Sequence, residues 1–230
     1  MSRLKYSTSE LKFNFKVNNI LFKKIFQNLI IKNTISNGII YLQITRGVQP
    51  REHAYKTNLK PNVIVYTAKK KFNLPNKNYR SFKAITYPDI RWGRPDIKTT
   101  SLLANIIAAT EASKKGAYET ILVKGKKITE AAHSNVWIVK GNNIITHPAN
   151  KEILKGVTRT VLINIINSLG LKLIEKEFSL KELYKSDEVF ITSSGSLVTP
   201  INQIDNIKIN NKKIGKITKT LALSFYKSII

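Results

Sequence analysis

Apolar residues recur at helical spacing through ILFKKIFQNLIIKN, and Asn18 just ahead of it is a capping type, so a helix is expected over Ile20–Asn33. The pattern then changes period. GIIYLQIT (Gly38–Thr45) and NVIVYT (Asn62–Thr67) are rich in β-branched and aromatic residues and read as strands, with a loop anchored by Gly47 and Pro50 between them. Residues 69–81, KKKFNLPNKNYRS, have no periodicity and carry Pro75, the composition of a linker. Beyond it strands and helices alternate. A helix capped by Thr99 or Thr100 is expected to end at Gly116, and ETILVK, SNVWIVK and IITH are expected strands. A helix follows Gly156 to about Ser168, then KLIEKEF, a short helix from Ser179, the strand DEVFIT and a last helix over Ile214–Lys227. This order predicts an α/β (α+β) chain of two lobes: a small domain over residues 1–73, a linker over 74–82 and a large domain over 83–230.

Composition narrows the picture without naming a function. The chain has 230 residues, 42% hydrophobic and 23% charged, and no cysteine, which excludes disulfides and thiolate metal sites. It shows neither a leader-type N-terminus nor an apolar run of spanning length, so a cytoplasmic protein with no membrane partner is expected. The net charge of +25 invites a nucleic-acid reading. Its lysines are instead scattered in pairs such as Lys114-Lys115, Lys126-Lys127 and Lys212-Lys213, with no aromatic-interleaved basic stripe. Nucleic acid is therefore not the expected partner.

Four short motifs could carry chemistry. DIRW (Asp89–Trp92) is followed by Asp96-Ile97-Lys98, a lysine ahead of a helix. Next comes Ile128-Thr129-Glu130, with Ser134-Asn135-Val136 behind it. The third is Ile153–Arg159, ILKGVTR, a glycine turn opening a helix whose free amides suit an anion. The fourth is the hydroxyl-rich turn Thr192–Ser196 after a strand. A pyridoxal-phosphate (PLP) enzyme needs an amine, an acid beside the ring nitrogen, and donors for the phosphate, and these motifs offer each in turn. Taken singly, each has an ordinary structural reading: Lys98 a surface group, Glu130 a cap, Thr158 the cap of its helix, the serine turn a connection.

In this order the motifs resemble the D-amino-acid transaminases of the class IV (fold-type IV) aminotransferase family, as do GAYETIL and THPAN, over nearly the whole chain. The resemblance implies a two-domain PLP enzyme acting as a homodimer. Lys98 corresponds to the cofactor lysine and Glu130 to the acid at the pyridine nitrogen. By the same resemblance, Leu154 corresponds to the residue supporting the ring, and the Val157 amide, Thr158 and Ser194 to the phosphate-binding positions. Arg51 and His53, from REH, resemble the pair that grips the substrate α-carboxylate across the dimer interface. The implied reaction moves an amino group from a D-amino acid to a 2-oxo acid. Branched-chain aminotransferase, aminodeoxychorismate lyase and a non-catalytic remnant with a basic surface are the alternatives.

Some departures stand out. The family's first strands, with an arginine for the phosphate and a tyrosine at the site's edge, have no counterpart ahead of Met1–Leu4. That segment is expected to lie just before the first helix pair. The small lobe is then incomplete, short of a charge-assisted contact worth about 1.5–3 kcal/mol, unless another polypeptide completes it. Ala131 and His133 replace a glycine and a small hydroxyl residue, His133 being expected to crowd or rearrange the ring's oxygen side. Gly195 stands where threonine is common.

Overall fold

The computed structural model describes residues 1–229, which divide into two compact units, Met1–Lys71 and the described residues from Phe72 onward. In the first unit two helices precede a strand pair: α1 (Ser2–Glu10), α2 (Asn19–Lys32), β1 (Gly38–Thr45) and β2 (Asn62–Lys69). Met1–Leu4 thus belongs to the start of a helix, where the resemblance placed it ahead of one. Asn18 Oδ1 accepts from the amides of Ile20 and Leu21, both at 3.1 Å, and starts α2 at the expected place. Phe22 is buried against Phe15 and Phe26, while Ile20 and Ile31 on the same helix are exposed. β1 and β2 pair antiparallel over their full length, and the cross-strand partners Tyr41 and Tyr66 stack with centroids 4.9 Å apart.

The loop between these strands, residues 46–61, has its own anchor. The Arg46 guanidinium lies between the Phe13 and Tyr55 rings, 4.5 and 3.6 Å from their centroids, and donates to the carbonyls of Leu11 and Lys12. Gly47 has a φ of +130°, and a Cβ there would meet the Lys60 carbonyl oxygen at 2.7 Å, so the turn out of β1 requires glycine.

In the second unit, strands β3 (Phe82–Pro88), β4 (Glu119–Lys124), β5 (Lys127–Ala131), β6 (Asn135–Lys140), β7 (Asn143–Thr146), β8 (Lys172–Glu175), β9 (Phe178–Ser179), β10 (Glu188–Ser193), β11 (Leu197–Ile204) and β12 (Ile207–Lys208) form one mixed sheet. Its order is β8-β7-β6-β10-β11-β3-β4-β5-β9, with β12 paired to β11. Helices α3 (Leu103–Lys114), α4 (Val157–Ser168), α5 (Leu180–Tyr184) and α6 (Lys216–Lys227) pack on it. β5 and β6 have four strands between them in the sheet, yet the Ala131 amide donates to the Ser134 carbonyl at 2.7 Å across the turn joining them. The sheet is therefore curled, bringing its two halves together at that turn.

Both faces of the sheet are covered, which explains why its strands read as continuous apolar runs. Val136, Ile138, Val189 and Ile191 join one core with Ile121, Ile128 and Ile201. Their neighbours Trp137, Val139 and Phe190 point the other way, onto Leu162 and Ile166 of α4 and Leu221 and Phe225 of α6. Several expected boundaries fail: the last helix starts at Lys216 and not Ile214, and KLIEKEF divides between β8 and β9. α3 begins at Leu103, with Leu102 at the cap position and no side-chain cap, so neither Thr99 nor Thr100 starts it. β7 ends at Thr146 and leaves His147 outside. The end of α3 at Gly116 (φ +63°) and the capping box of α5 formed by Ser179 and Glu182 match the expectation. The paired lysines at 114–115, 126–127 and 212–213 are all exposed. No helix among the described residues is long and apolar enough to cross a membrane.

Candidate functional site

The second unit's sheet gathers its polar residues where β6 begins and β10 ends. Glu130, next to last in β5, is buried and held on both oxygens. Oε1 accepts from the Arg91 guanidinium and from the Leu154 amide at 3.0 Å, and Oε2 accepts from Asn135 Nδ2 at 3.0 Å. Arg91 lies beyond the end of β3 and also grips Asp89, at 2.9 Å through Nε and 2.7 Å through Nη2. Thr129 Oγ1 donates to Asp89 at 2.7 Å, and Arg91 Nη2 reaches the Glu152 carbonyl at 3.1 Å. Two positions, i and i+2, in the segment just after β3 thus serve one cluster.

Counted as charges, this cluster has two carboxylates and one guanidinium, all with side chains less than 10% exposed. Burial pushes the Glu130 carboxyl up to about 7, and the Asp89 charge adds to the rise, against the pull of Arg91 and the Leu154 amide. Asp89, whose burial is outweighed by its bonds to Arg91 and Thr129, is held below the usual carboxylate range. A further cation beside Glu130 would balance the cluster.

Asn135 couples this cluster to α4. Its Nδ2 donates to the Leu154 carbonyl at 2.9 Å as well as to Glu130, and its Oδ1 lies where a Cβ on Gly156 would come within 2.3 Å. Gly156 has φ −64°, so the close approach, not the backbone angle, demands glycine. Gly156→Ala is expected to displace Asn135 and cost about 1–3 kcal/mol, measured as a lowered urea midpoint. α4 has no side-chain cap, which sets aside Thr158 as the capping residue. The amides of its first turn, that of the exposed Val157 among them, remain available to an anion, and the buried Thr158 is the next residue of the helix.

The turn after β10 completes this end of the sheet. Thr192 is the register partner of Asn135 and accepts from Trp137 Nε1 at 2.8 Å. Ser193 and Ser196 bond each other at 2.6 Å, and the Ser196 amide donates to Ser193 Oγ, so the turn is pinned despite Gly195. Ser194 is left exposed at its tip. Ser134, between Glu130 and Asn135, is buried with its hydroxyl unpartnered among the described residues. His133 is half-exposed, with Nδ1 3.1 Å from Oε2 of the buried Glu119.

Lys98 is exposed in the irregular segment between β3 and α3, seven positions beyond Arg91. Glu130, Leu154, Val157, Thr158 and Ser194 come to one end of the sheet through the contacts above. Arg51 and His53 lie in the first unit, both exposed in the loop 46–61, which Gln49 braces by bonding the Ala54 carbonyl at 3.0 Å and the Lys56 amide at 2.9 Å. Sequence reasoning quoted Asp89, Arg91 and Asn135 inside motifs but gave them no role. The alternation Asp89-x-Arg91 was the one available signal, and its partner Glu130 is distant in sequence.

A family model described as amino-transferase class IV matches residues 1–204. The D-alanine aminotransferase of Listeria monocytogenes is 38% identical over 212 residues, 90% of this chain and 72% of that protein. The D-alanine aminotransferase of Bacillus licheniformis is 36% identical over 231 residues, spanning this chain and 81% of its own length. Among solved structures, the branched-chain amino acid aminotransferase of Thermobaculum terrenum in its PLP form superposes with a TM-score of 0.87 at 20% identity, covering 99% of this chain and 76% of that one. That likeness concerns the fold. With the family match and both relatives covering most of its length, the chain belongs to the class IV aminotransferases.

Proposed function

We propose that this chain binds PLP and transfers an amino group between a D-amino acid of the alanine type and a 2-oxo acid. The observation that carries the reading is the buried Glu130 cluster, one positive charge short, beside the uncapped N-terminus of α4. Two features fit the cofactor. A protonated ring nitrogen at Glu130 Oε2 would balance the cluster, and the unpartnered Ser134 hydroxyl offers a further polar contact. The phosphate would be held by the Val157 amide, Thr158 and Ser194, with Leu154 against the ring. When bound, PLP supplies an electron sink for the pair released at the substrate α-carbon.

The chain's own groups supply the rest. Lys98 holds the cofactor through its amine and moves the proton at the α-carbon. Arg91 and Asn135 orient the Glu130 carboxyl for the ring nitrogen. Arg51 offers a planar fork for the substrate α-carboxylate and His53 a further donor. We place that pair at the neighbour's site in a homodimer, to be tested by sedimentation. The D-amino-acid preference is supported by the relatives' D-alanine activity and by the Arg51-x-His53 spacing.

The test mixes purified protein with PLP and follows visible absorbance, then assays D-alanine and L-leucine with 2-oxoglutarate. Saturable binding with transfer from D-alanine is expected. Arg51→Ala should raise the KM for D-alanine about 10- to 100-fold, the equivalent of a lost charge-assisted bond. Transfer from L-leucine alone would replace the substrate reading with a branched-chain one. No absorbance change at saturating PLP would sink the enzyme reading.

A further inference from the structure

His147 and Glu152 come from the connection between β7 and α4, and Glu177 from the link between β8 and β9. One ligand atom from each lies within 4.8 Å of the other two. His147 is 1% exposed. Its Nδ1 stands 2.9 Å from the Pro148 carbonyl oxygen, which can only accept, so Nδ1 carries a proton. In the neutral ring Nε2 then presents a lone pair to Glu152 Oε2, 3.6 Å away. At that distance Nε2 and Oε2 share no hydrogen bond. An imidazole fixed through Nδ1 to a backbone carbonyl is the arrangement that readies Nε2 for a metal.

We propose that His147 Nε2, Glu152 and Glu177 bind one divalent transition-metal cation of the zinc type. One imidazole and two carboxylates suit zinc or manganese better than magnesium, which prefers oxygen donors and retained water. Ligand atoms around a tetrahedral zinc stand about 3.4 Å apart. The His147–Glu152 pair is already near that spacing, and the Glu177 side chain is partly exposed. The opposing charges are Lys124, 2.8 Å from Glu152 Oε1, and Lys127, bonded to Glu177 Oε2. Both lysines are mostly exposed and leave the other carboxylate oxygens unoccupied by them.

The position gives the ion a role. Residues 148–156 run from His147 to the start of α4, and Glu152 is within them. The same stretch presents the Glu152 carbonyl to Arg91 and the Leu154 amide to Glu130. Arg159 of α4 also donates to the His147 carbonyl at 2.9 Å. The bound cation clamps this loop and so steadies the backbone beneath the Glu130 cluster. The site is independent of whether the protein transfers amino groups.

Chelator-treated protein titrated with zinc chloride alone should bind one ion per chain by calorimetry. Zinc at about 100 times its Kd should raise Tm by roughly 5–10 °C. Glu177→Gln, a half-exposed site that should not disturb folding, is expected to weaken binding at least 10-fold. Lys127→Met removes the competitor for Glu177 and should tighten binding several-fold, an effect no loss of structure would mimic. Magnesium should give no comparable shift. Absence of saturable zinc binding would overturn the site. Equal affinity in wild type and Glu177→Gln would overturn it too, by assigning the metal to other surface groups. Unchanged or weaker affinity in Lys127→Met would remove Glu177 as a ligand.

Discussion

Lys98→Ala is expected to abolish the visible absorbance the protein acquires with PLP and to cut amino-group transfer by roughly 10²–10⁴-fold, the range for losing a positioned proton-transfer group. The side chain is exposed, so the urea midpoint should stay within error of wild type. Lys98→Arg separates charge from reactivity. A guanidinium keeps the positive charge but stays protonated, so it provides neither the amine nor the base. Both variants should be inactive and folded. Transfer activity retained in Lys98→Arg would show that the positive charge at this position, and not its amine, is what matters.

The second large effect concerns stability. Arg91→Met should lower the unfolding free energy by about 3–5 kcal/mol, the usual cost of removing one partner from a buried charge pair. Here two carboxylates lose their shared counter-ion, since Arg91 bonds both Asp89 and Glu130. Methionine keeps much of the volume, so the loss reports charge more than cavity.

The pH dependence has a definite sign. Glu130, raised to about 7 in the folded chain, contributes stability present below its unfolded value near 4.5 and lost as pH rises through 7. Asp89, lowered, contributes stability present above its ordinary value and lost as pH falls through its depressed one. Without Arg91 both carboxyls resist ionisation, so the variant should be penalised more at pH 8 than at pH 5. Urea unfolding at the two pH values measures this. An equal loss at both would mean that the cluster's electrostatics do not set the cost.

Much of this could be read along the chain. The helix after Asn18 and the serine turn after β10 are local: each depends on a cap or a break a few residues long, and propensity suffices. The candidate lysine and acid were legible as members of an ordered set of motifs. Other elements were not legible. β3 and β11 were missed because FKAITYP and LVTPINQI carry prolines and mixed polarity, and they become strands by pairing with each other in the curled sheet. The start of α3 was misjudged because a threonine ahead of a helix reads as a cap whether or not its side chain reaches an amide.

The sequence by itself determined the alternation of strands and helices and the hydroxyl and acid groups that a cofactor site requires, because short-range backbone preferences and side-chain chemistry decide these. Only the tertiary structure decided that Glu130, Arg91 and Asp89 share one buried cluster and that Asn135 ties it to Gly156. It alone brought His147, Glu152 and Glu177 together. Those relations join residues tens of positions apart, and curling of the sheet makes them neighbours. Their energies arise from burial, which no local pattern encodes.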